Sequence, residues 1–293
     1  MVAVRLSAVL LGTLAWCSGA AAAAVSVTDD AGHLVTLSAP AARIVSLAPH
    51  ITENIFAAGA GERLVAVSDY SDFPEAAQRL PRVSASGEIN IEALLALRPD
   101  LVVGWESAGY RAQLMRLKQF GVAVFISEPR QLDALAGTIE RLGVLAGTSE
   151  FATATANQVR QRIAELQQQY SHKPPVTVFY QLWNQPLMTI GASHIINDAL
   201  RLCGAVSVFA DVPGLAPVVD WETTVLRNPA LVVFSTGEQD TQAWRAQWAA
   251  WPNVDAVRLG HIQEIPSDWI NRATPRMVDG VARLCQHVEG ARH

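Results

Sequence analysis

Apolar and polar residues alternate with a period of two over Val25–Thr28 and again over residues 35–38. Between them Asp29-Asp30-Ala31-Gly32 has the composition of a tight turn, so the pair reads as a β-hairpin. From Arg43 onward the pattern changes. Short β-branched runs at 44–47, 64–67, 101–103 and 122–126 alternate with stretches of helical spacing at 51–58, 91–97, 110–120 and 131–145. Alternation of this kind argues for βα units around a mostly parallel sheet. Ser149–Tyr170 contains neither Gly nor Pro and carries Phe151, Ala154, Val159, Ile163 and Leu166 near helical spacing. One long helix is therefore expected, stopped by Pro174-Pro175. A second series follows, with strands at 176–181, 231–235 and 262–265 and helices at 195–203, 222–227, 242–250 and 275–288.

The second series echoes the first. Asn90, Glu92, Pro99 and the run Leu101-Val102-Val103 recur in register, 130 residues later, as Asp220, Glu222, Pro229 and Leu231-Val232-Val233. In each copy an Asn or Asp can cap a short helix, a Glu suits its positive end, and a Pro stops it before a buried strand. Some of this is common helix grammar, but agreement in register favours a duplicated unit. The expected fold is α/β, with two similar lobes, each a mostly parallel sheet flanked by helices. Their limits are 25–148 and 174–293, joined by one long connecting helix at 149–173, with a cleft between the lobes. A single helical connection predicts modest opening in place of wide closure.

Composition narrows the function. Half the residues are apolar and 17% are charged, as in an ordinary globular protein. With 22 Lys and Arg against 27 Asp and Glu, and no basic block, a nucleic-acid partner is not expected. Residues 1–24 read as a secretory signal peptide: Arg5 supplies the positive start, a short apolar run follows, and Ala20 to Ala24 offers cleavage near Ala24. Trp16 stands where acylation of Cys17 would want a small residue, so a lipid-anchored alternative is set aside. No later apolar stretch approaches the roughly 20 residues of a membrane-spanning helix. Removal of the leader leaves Cys203 and Cys285, an even pair in an oxidising compartment, which predicts a disulfide. The chain shows no G-x-S-x-G elbow, P-loop, H-E-x-x-H or G-x-G-x-x-G after the first strand, and no spacing that assembles a metal site. An enzyme, for example an exported hydrolase, is thus a poorer reading than a binding protein.

Several segments carry a family likeness. Arg43-Ile-Val-Ser-Leu-Ala-Pro-His50-Ile-Thr-Glu53, Val67-Ser-Asp-Tyr70-Ser-Asp-Phe-Pro74 and Asn90-Ile-Glu92 come first, followed by Arg98-Pro-Asp-Leu-Val-Val-Gly-Trp105, Ser267-Asp268-Trp269 and Arg272-Ala-Thr-Pro-Arg276. In this order they resemble the helical-backbone periplasmic binding proteins of ABC importers, and within them the vitamin B12 branch. The resemblance implies a monomeric periplasmic protein that captures a corrinoid, needs no cofactor of its own, and delivers its cargo to membrane permease subunits. It places Tyr70 and Trp105 on the first lobe's side of the cleft and sets Asp268 and Arg272 against corrin side-chain amides from the second. A corrinoid has broad apolar faces and a rim of neutral amides, so aromatic plates and a few polar groups suit it. It also implies that Glu92 and Glu222, one on each lobe, dock on the importer, where a symmetric pair of anions can steer encounter. The same likeness puts Cys203 and Cys285 where the family has a disulfide.

The chain departs from that pattern at four positions. Ser86 and Ala216 stand where tryptophans are expected, Leu182 replaces an aromatic, and Asn271 replaces an acidic residue at a position that the likeness still assigns to ligand binding, as it does Trp183. Trp183, beside Leu182, is the candidate to fill the space, and a corrinoid with a different lower ligand, such as a cobinamide, stays open. Haem- and siderophore-binding relatives share the fold and give the alternative reading. Haem asks for one or two axial ligands, which Tyr70, His50 or His194 could supply. Trp221, Trp244, Trp248 and Trp251 fall on helical patterns and are assigned to packing or surface.

Overall fold

A computed structural model describes residues 23–85, 88–237 and 241–292. Nearly all of the expected leader, with Cys17, lies outside the described residues, as does Ser86. Val25–Thr28 and Leu34–Leu37 form the antiparallel leading hairpin. Asp29 pins its turn, its carboxylate accepting from the backbone N–H groups of Ala31 (3.0 Å), His33 (2.7 Å) and, across to the first sheet, Ile126 (3.2 Å).

The first sheet runs, in spatial order, Glu88–Ile89, Arg82–Ala85, Leu64–Ser68, Ile44–Ser46, Leu101–Gly104 and Ala123–Ile126. Only the pairing of Glu88–Ile89 is antiparallel. In the second sheet Val176–Trp183 is central, with Leu231–Thr236 and then Ile262–Pro266 parallel on one side. Its other side pairs with Ala205–Ser207, parallel, and with Met188–Thr189, antiparallel. The first parallel strand is interior in both lobes: Ile44–Ser46 lies between Leu64–Ser68 and Leu101–Gly104, and Val176–Trp183 lies between Ala205–Ser207 and Leu231–Thr236.

The 130-residue repeat extends to the backbone. Asn90 accepts from the Ala93 N–H at 2.9 Å and Asp220 from the Thr223 N–H at 2.6 Å, capping Ile91–Ala96 and Trp221–Leu226. Just after these helices Arg98 (φ 46°) and Asn228 (φ 41°) both take the left-handed conformation that ends a helix before the chain turns into the next strand.

The connecting helix spans Ser149–Tyr170 and buries Ala152, Ala156, Val159, Ile163 and Tyr170. It lies close against Leu132–Ala146, where a Cβ on Gly143 would stand 2.2 Å from the Cβ of Ala152, so only glycine permits the approach. One apolar core runs through the helix-side faces of both sheets and this helix, from Val35 and Ile44 to Val178, Val233 and Leu284. Separate clusters cover the opposite faces, Val45 to Ile126 in the first lobe and Phe179, Phe234, Trp244 and Trp248 in the second. The packing assignment of Trp244 and Trp248 therefore holds, and Trp221 and Trp251 pack partly buried on the same cluster. Cys203 and Cys285, both fully buried, form a disulfide between the end of Ile195–Leu202 and Met277–Gly290.

The sequence pattern passes over Arg82–Ala85, Met188–Thr189, Ala205–Ser207, Asp255–Arg258 and Ser267–Ile270. All have five residues or fewer, too few for a period to show, and the strands among them exist because a longer strand beside each supplies its hydrogen bonds.

Candidate functional site between the lobes

Loops at the carboxyl ends of the parallel strands of one lobe meet those of the other, the place where open α/β sheets usually present ligand-facing residues. The strand Leu64–Ser68 delivers Tyr70, Leu101–Gly104 delivers Trp105, and Ile44–Ser46 delivers His50 at the start of the helix Pro49–Ala57. From the second lobe Ile262–Pro266 leads into Ser267–Ile270, which carries Asp268, and then to Arg272.

Tyr70, Asp268 and Arg272 come together. Nη2 of Arg272 lies 3.0 Å from Asp268 Oδ1 and donates to the Tyr70 carbonyl at 3.4 Å. Its Nη1 donates at 2.9 Å to both Glu53 Oε1 and Asp72 Oδ1. Arg276 donates to the same Glu53 carboxylate through Nε (2.9 Å) and Nη2 (2.6 Å), while its guanidinium stacks over the Phe73 ring at 4.0 Å. Burial by itself would raise the Asp72 carboxyl, but the hydrogen bond and charge of Arg272 outweigh it and hold the group below its ordinary value. Tyr70 is 71% exposed and its φ is +58°, a strained conformation for an aromatic residue. Asp268 and Arg272 pair as expected of residues four apart, but Arg272 also crosses to the first lobe. Glu53, Asp72 and Arg276 were not among the residues singled out from the sequence. All three fall inside segments that carry the family likeness, but no local spacing marks them, and residues 272–276 lie between two helices and not on one.

Trp105 is half-buried and stands edge-on to His50, with ring centroids 5.2 Å apart. Burial pushes the His50 imidazole down to about 4; a hydrogen bond to the Ser127 backbone opposes this and the Arg272 charge adds to it. His50 is therefore neutral and almost closed off from solvent. His194 is likewise pushed down to about 4 by burial, and its Nδ1 accepts from the Ile196 N–H at 3.1 Å. Of the three haem ligands considered, His50 is enclosed and His194 has one ring nitrogen engaged as a helix cap. Beyond the strand Ala123–Ile126 a cavity of about 420 Å³ separates the lobes, bordered by Arg130, Gln131, Ser193, His194 and Arg201.

Asn271 and Trp183 stand apart from the Arg272 cluster. The Asn271 amide accepts from the Tyr180 hydroxyl and donates to Ser235 Oγ, each at 2.9 Å, so its own lobe holds it. Tyr180 is wholly buried, and burial keeps its phenol protonated well above the ordinary range. An amide at position 271 satisfies a donor and an acceptor without setting a charge against that phenol. Trp183 is exposed and its Nε1 donates to the Gln185 carbonyl at 3.1 Å. Leu182 packs on the main core, and neighbours on a strand point to opposite faces, so the Trp183 ring does not take the direction of Leu182. Ala216 is exposed. Glu92 and Glu222 are both exposed in the first turn of their matched helices.

The model of the periplasmic binding protein family matches residues 44–269. The vitamin B12-binding protein of Vibrio cholerae is 37% identical over 251 residues, 85% of this chain and 90% of the relative. A crystal structure of the periplasmic vitamin B12 binding protein of Vibrio cholerae superposes with a TM-score of 0.78 at 36% identity, covering 86% of this chain and 98% of that one. A periplasmic heme binding protein from Pseudomonas aeruginosa gives a TM-score of 0.71 at 25% identity, covering 85% and 92%. The family model spans more than half of the chain and the Vibrio cholerae relative most of it, and the chain belongs to the periplasmic binding protein family.

Proposed function

We propose that this protein captures vitamin B12 or a closely related corrinoid between its lobes, in the periplasm, and hands it to an ABC importer. The observation that carries the reading is Tyr70, a strained and exposed aromatic at the cleft beside the Asp268–Arg272 pair, in a chain whose close relatives are named for vitamin B12. Tyr70 and Trp105 offer flat apolar surface to a corrin face, while Asp268 accepts from, and Arg272 donates to, its peripheral amides. Export follows from the leader, cleaved near Ala24. No bond of the ligand is made or broken, and the importer supplies the energy of transport.

Purified protein incubated separately with cyanocobalamin and with haem, then desalted, is expected to retain the cobalamin absorption spectrum. Retention of haem with loss of cobalamin would refute the assignment.

Glu92 and Glu222 form the docking pair in this reading. The double variant Glu92→Ala, Glu222→Ala is expected to weaken binding to the importer roughly five- to tenfold, mostly through slower association, because exposed charges at a rim act chiefly on encounter. Cyanocobalamin affinity should stay within about twofold of the parent by calorimetry. Equal loss of both activities contradicts the division of roles.

A further inference from the structure

Glu53 is nearly buried, with 3% of its side chain exposed, and it belongs to the first lobe, yet three hydrogen bonds reach it from Arg272 and Arg276 of the second. A carboxylate taken out of water is tolerated only where cations and donors replace its hydration, and here the other lobe supplies them. The next residue repeats the crossing, with Asn54 Nδ2 donating to the Ala273 carbonyl at 2.9 Å.

The arrangement has a counterpart related by the internal duplication. Asp198 lies 145 residues after Glu53, on the helix Ile195–Leu202, and its Oδ2 accepts from the Leu132 N–H at 2.8 Å, at the start of a first-lobe helix. Gly59 (φ 76°) and Gly204 (φ 66°), also 145 apart, follow these two helices. Each lobe thus extends one carboxylate, from the helix after its first parallel strand, to the segment after the last strand of the other.

We propose that Glu53 is the positioning residue of the cleft: it holds Arg272 and Arg276 across the gap and so sets the spacing of the lobes on the Tyr70 side. Arg272 has donors to spare. The contacts most easily yielded to a ligand are the 3.4 Å bond to the Tyr70 carbonyl and the bond to Asp72, whose side chain is 52% exposed. Glu53 keeps its two bonds from Arg276 while Arg272 turns to the ligand, so the lobes remain fastened when the site is filled. The ligand part of this inference rests on the corrinoid reading; the fastening does not.

The test places spin labels on exposed positions of the two lobes, Gln119→Cys and Ala250→Cys, in the full chain, and measures their distance by pulsed electron resonance. Glu53→Gln is expected to broaden and lengthen the distance distribution of the ligand-free protein. It is also expected to speed cyanocobalamin dissociation roughly three- to tenfold, with association within about twofold, since changes within one interface fall mostly on dissociation. Asp198→Asn should leave the distance alone, because its amide oxygen still accepts from Leu132. If Glu53→Gln does not fold, Glu53→Asp, which keeps the charge on a shorter stem, should move the distance in the same direction. An unchanged distribution in a folded Glu53 variant overturns the inference, as does a shifted distribution with unchanged dissociation. Failure of the parent protein to bind cyanocobalamin would overturn the corrinoid reading instead and leave the distance result to judge the fastening.

Discussion

Tyr70→Gly is expected to stabilise the ligand-free protein by about 0.5–1 kcal/mol while weakening cyanocobalamin binding roughly thirtyfold or more. The two effects have opposite signs because the same side chain is strained and unsheltered without ligand. A non-glycine residue at a φ of +58° costs about 1–2 kcal/mol, and glycine there pays almost none of it. With 71% of the tyrosine exposed, little buried surface is lost on its removal. The greater freedom of glycine in the unfolded chain takes back part of the gain. An aromatic that stacks on a ligand is worth about 2 kcal/mol on truncation, and 1.4 kcal/mol is a factor of ten. The backbone carbonyl that Arg272 approaches survives the change, so the loss reports the ring. Thermal unfolding and isothermal calorimetry check the pair. A destabilised variant, or affinity within twofold of the parent, would remove Tyr70 from the site.

The largest effect on stability is expected from the disulfide. Cys203 and Cys285 are separated by 82 residues, and opening a loop of that size returns conformational entropy to the unfolded chain worth about 4 kcal/mol. For a chain of this size about 2–4 °C is lost per kcal/mol, so the double variant Cys203→Ala, Cys285→Ala should melt roughly 10 °C lower. Both sulfurs are fully buried, and reductant should act on the native protein only slowly. Scanning calorimetry with and without the bridge measures the shift. A change below about 2 °C would mean that packing of the helix Ile195–Leu202 on Met277–Gly290 already supplies what the bond was thought to add.

Most of the architecture was legible because it is written in periods long enough to read. The connecting helix, with no breaker between Ser149 and Tyr170, was found end to end, and the in-register match of Asn90, Glu92 and Pro99 with Asp220, Glu222 and Pro229 exposed the duplication. Ala205–Ser207 leaves no mark in the sequence because three residues carry no period and owe their strand to Val176–Val178, about thirty residues earlier. The site was less legible. Tyr70, Trp105, Asp268 and Arg272 stood out through family likeness, not through their own spacing. Glu53 sits in a helix whose pattern gives no reason to bury a carboxylate. That reason lies more than two hundred residues away, in Arg272 and Arg276. Asn271 shows the converse: the likeness pointed to the ligand, whereas Tyr180 and Ser235 hold its amide within its own lobe.

The apolar core that passes without interruption from Ile44 through Val159 and Ile163 to Val233 bears on how the two halves fold. Two copies of a repeated unit can be traced in the chain, and each shares the core on its helix side with the other. One apolar face of each meets the helix between them. With their interiors continuous, the halves are expected to unfold together, and only the cleft divides them.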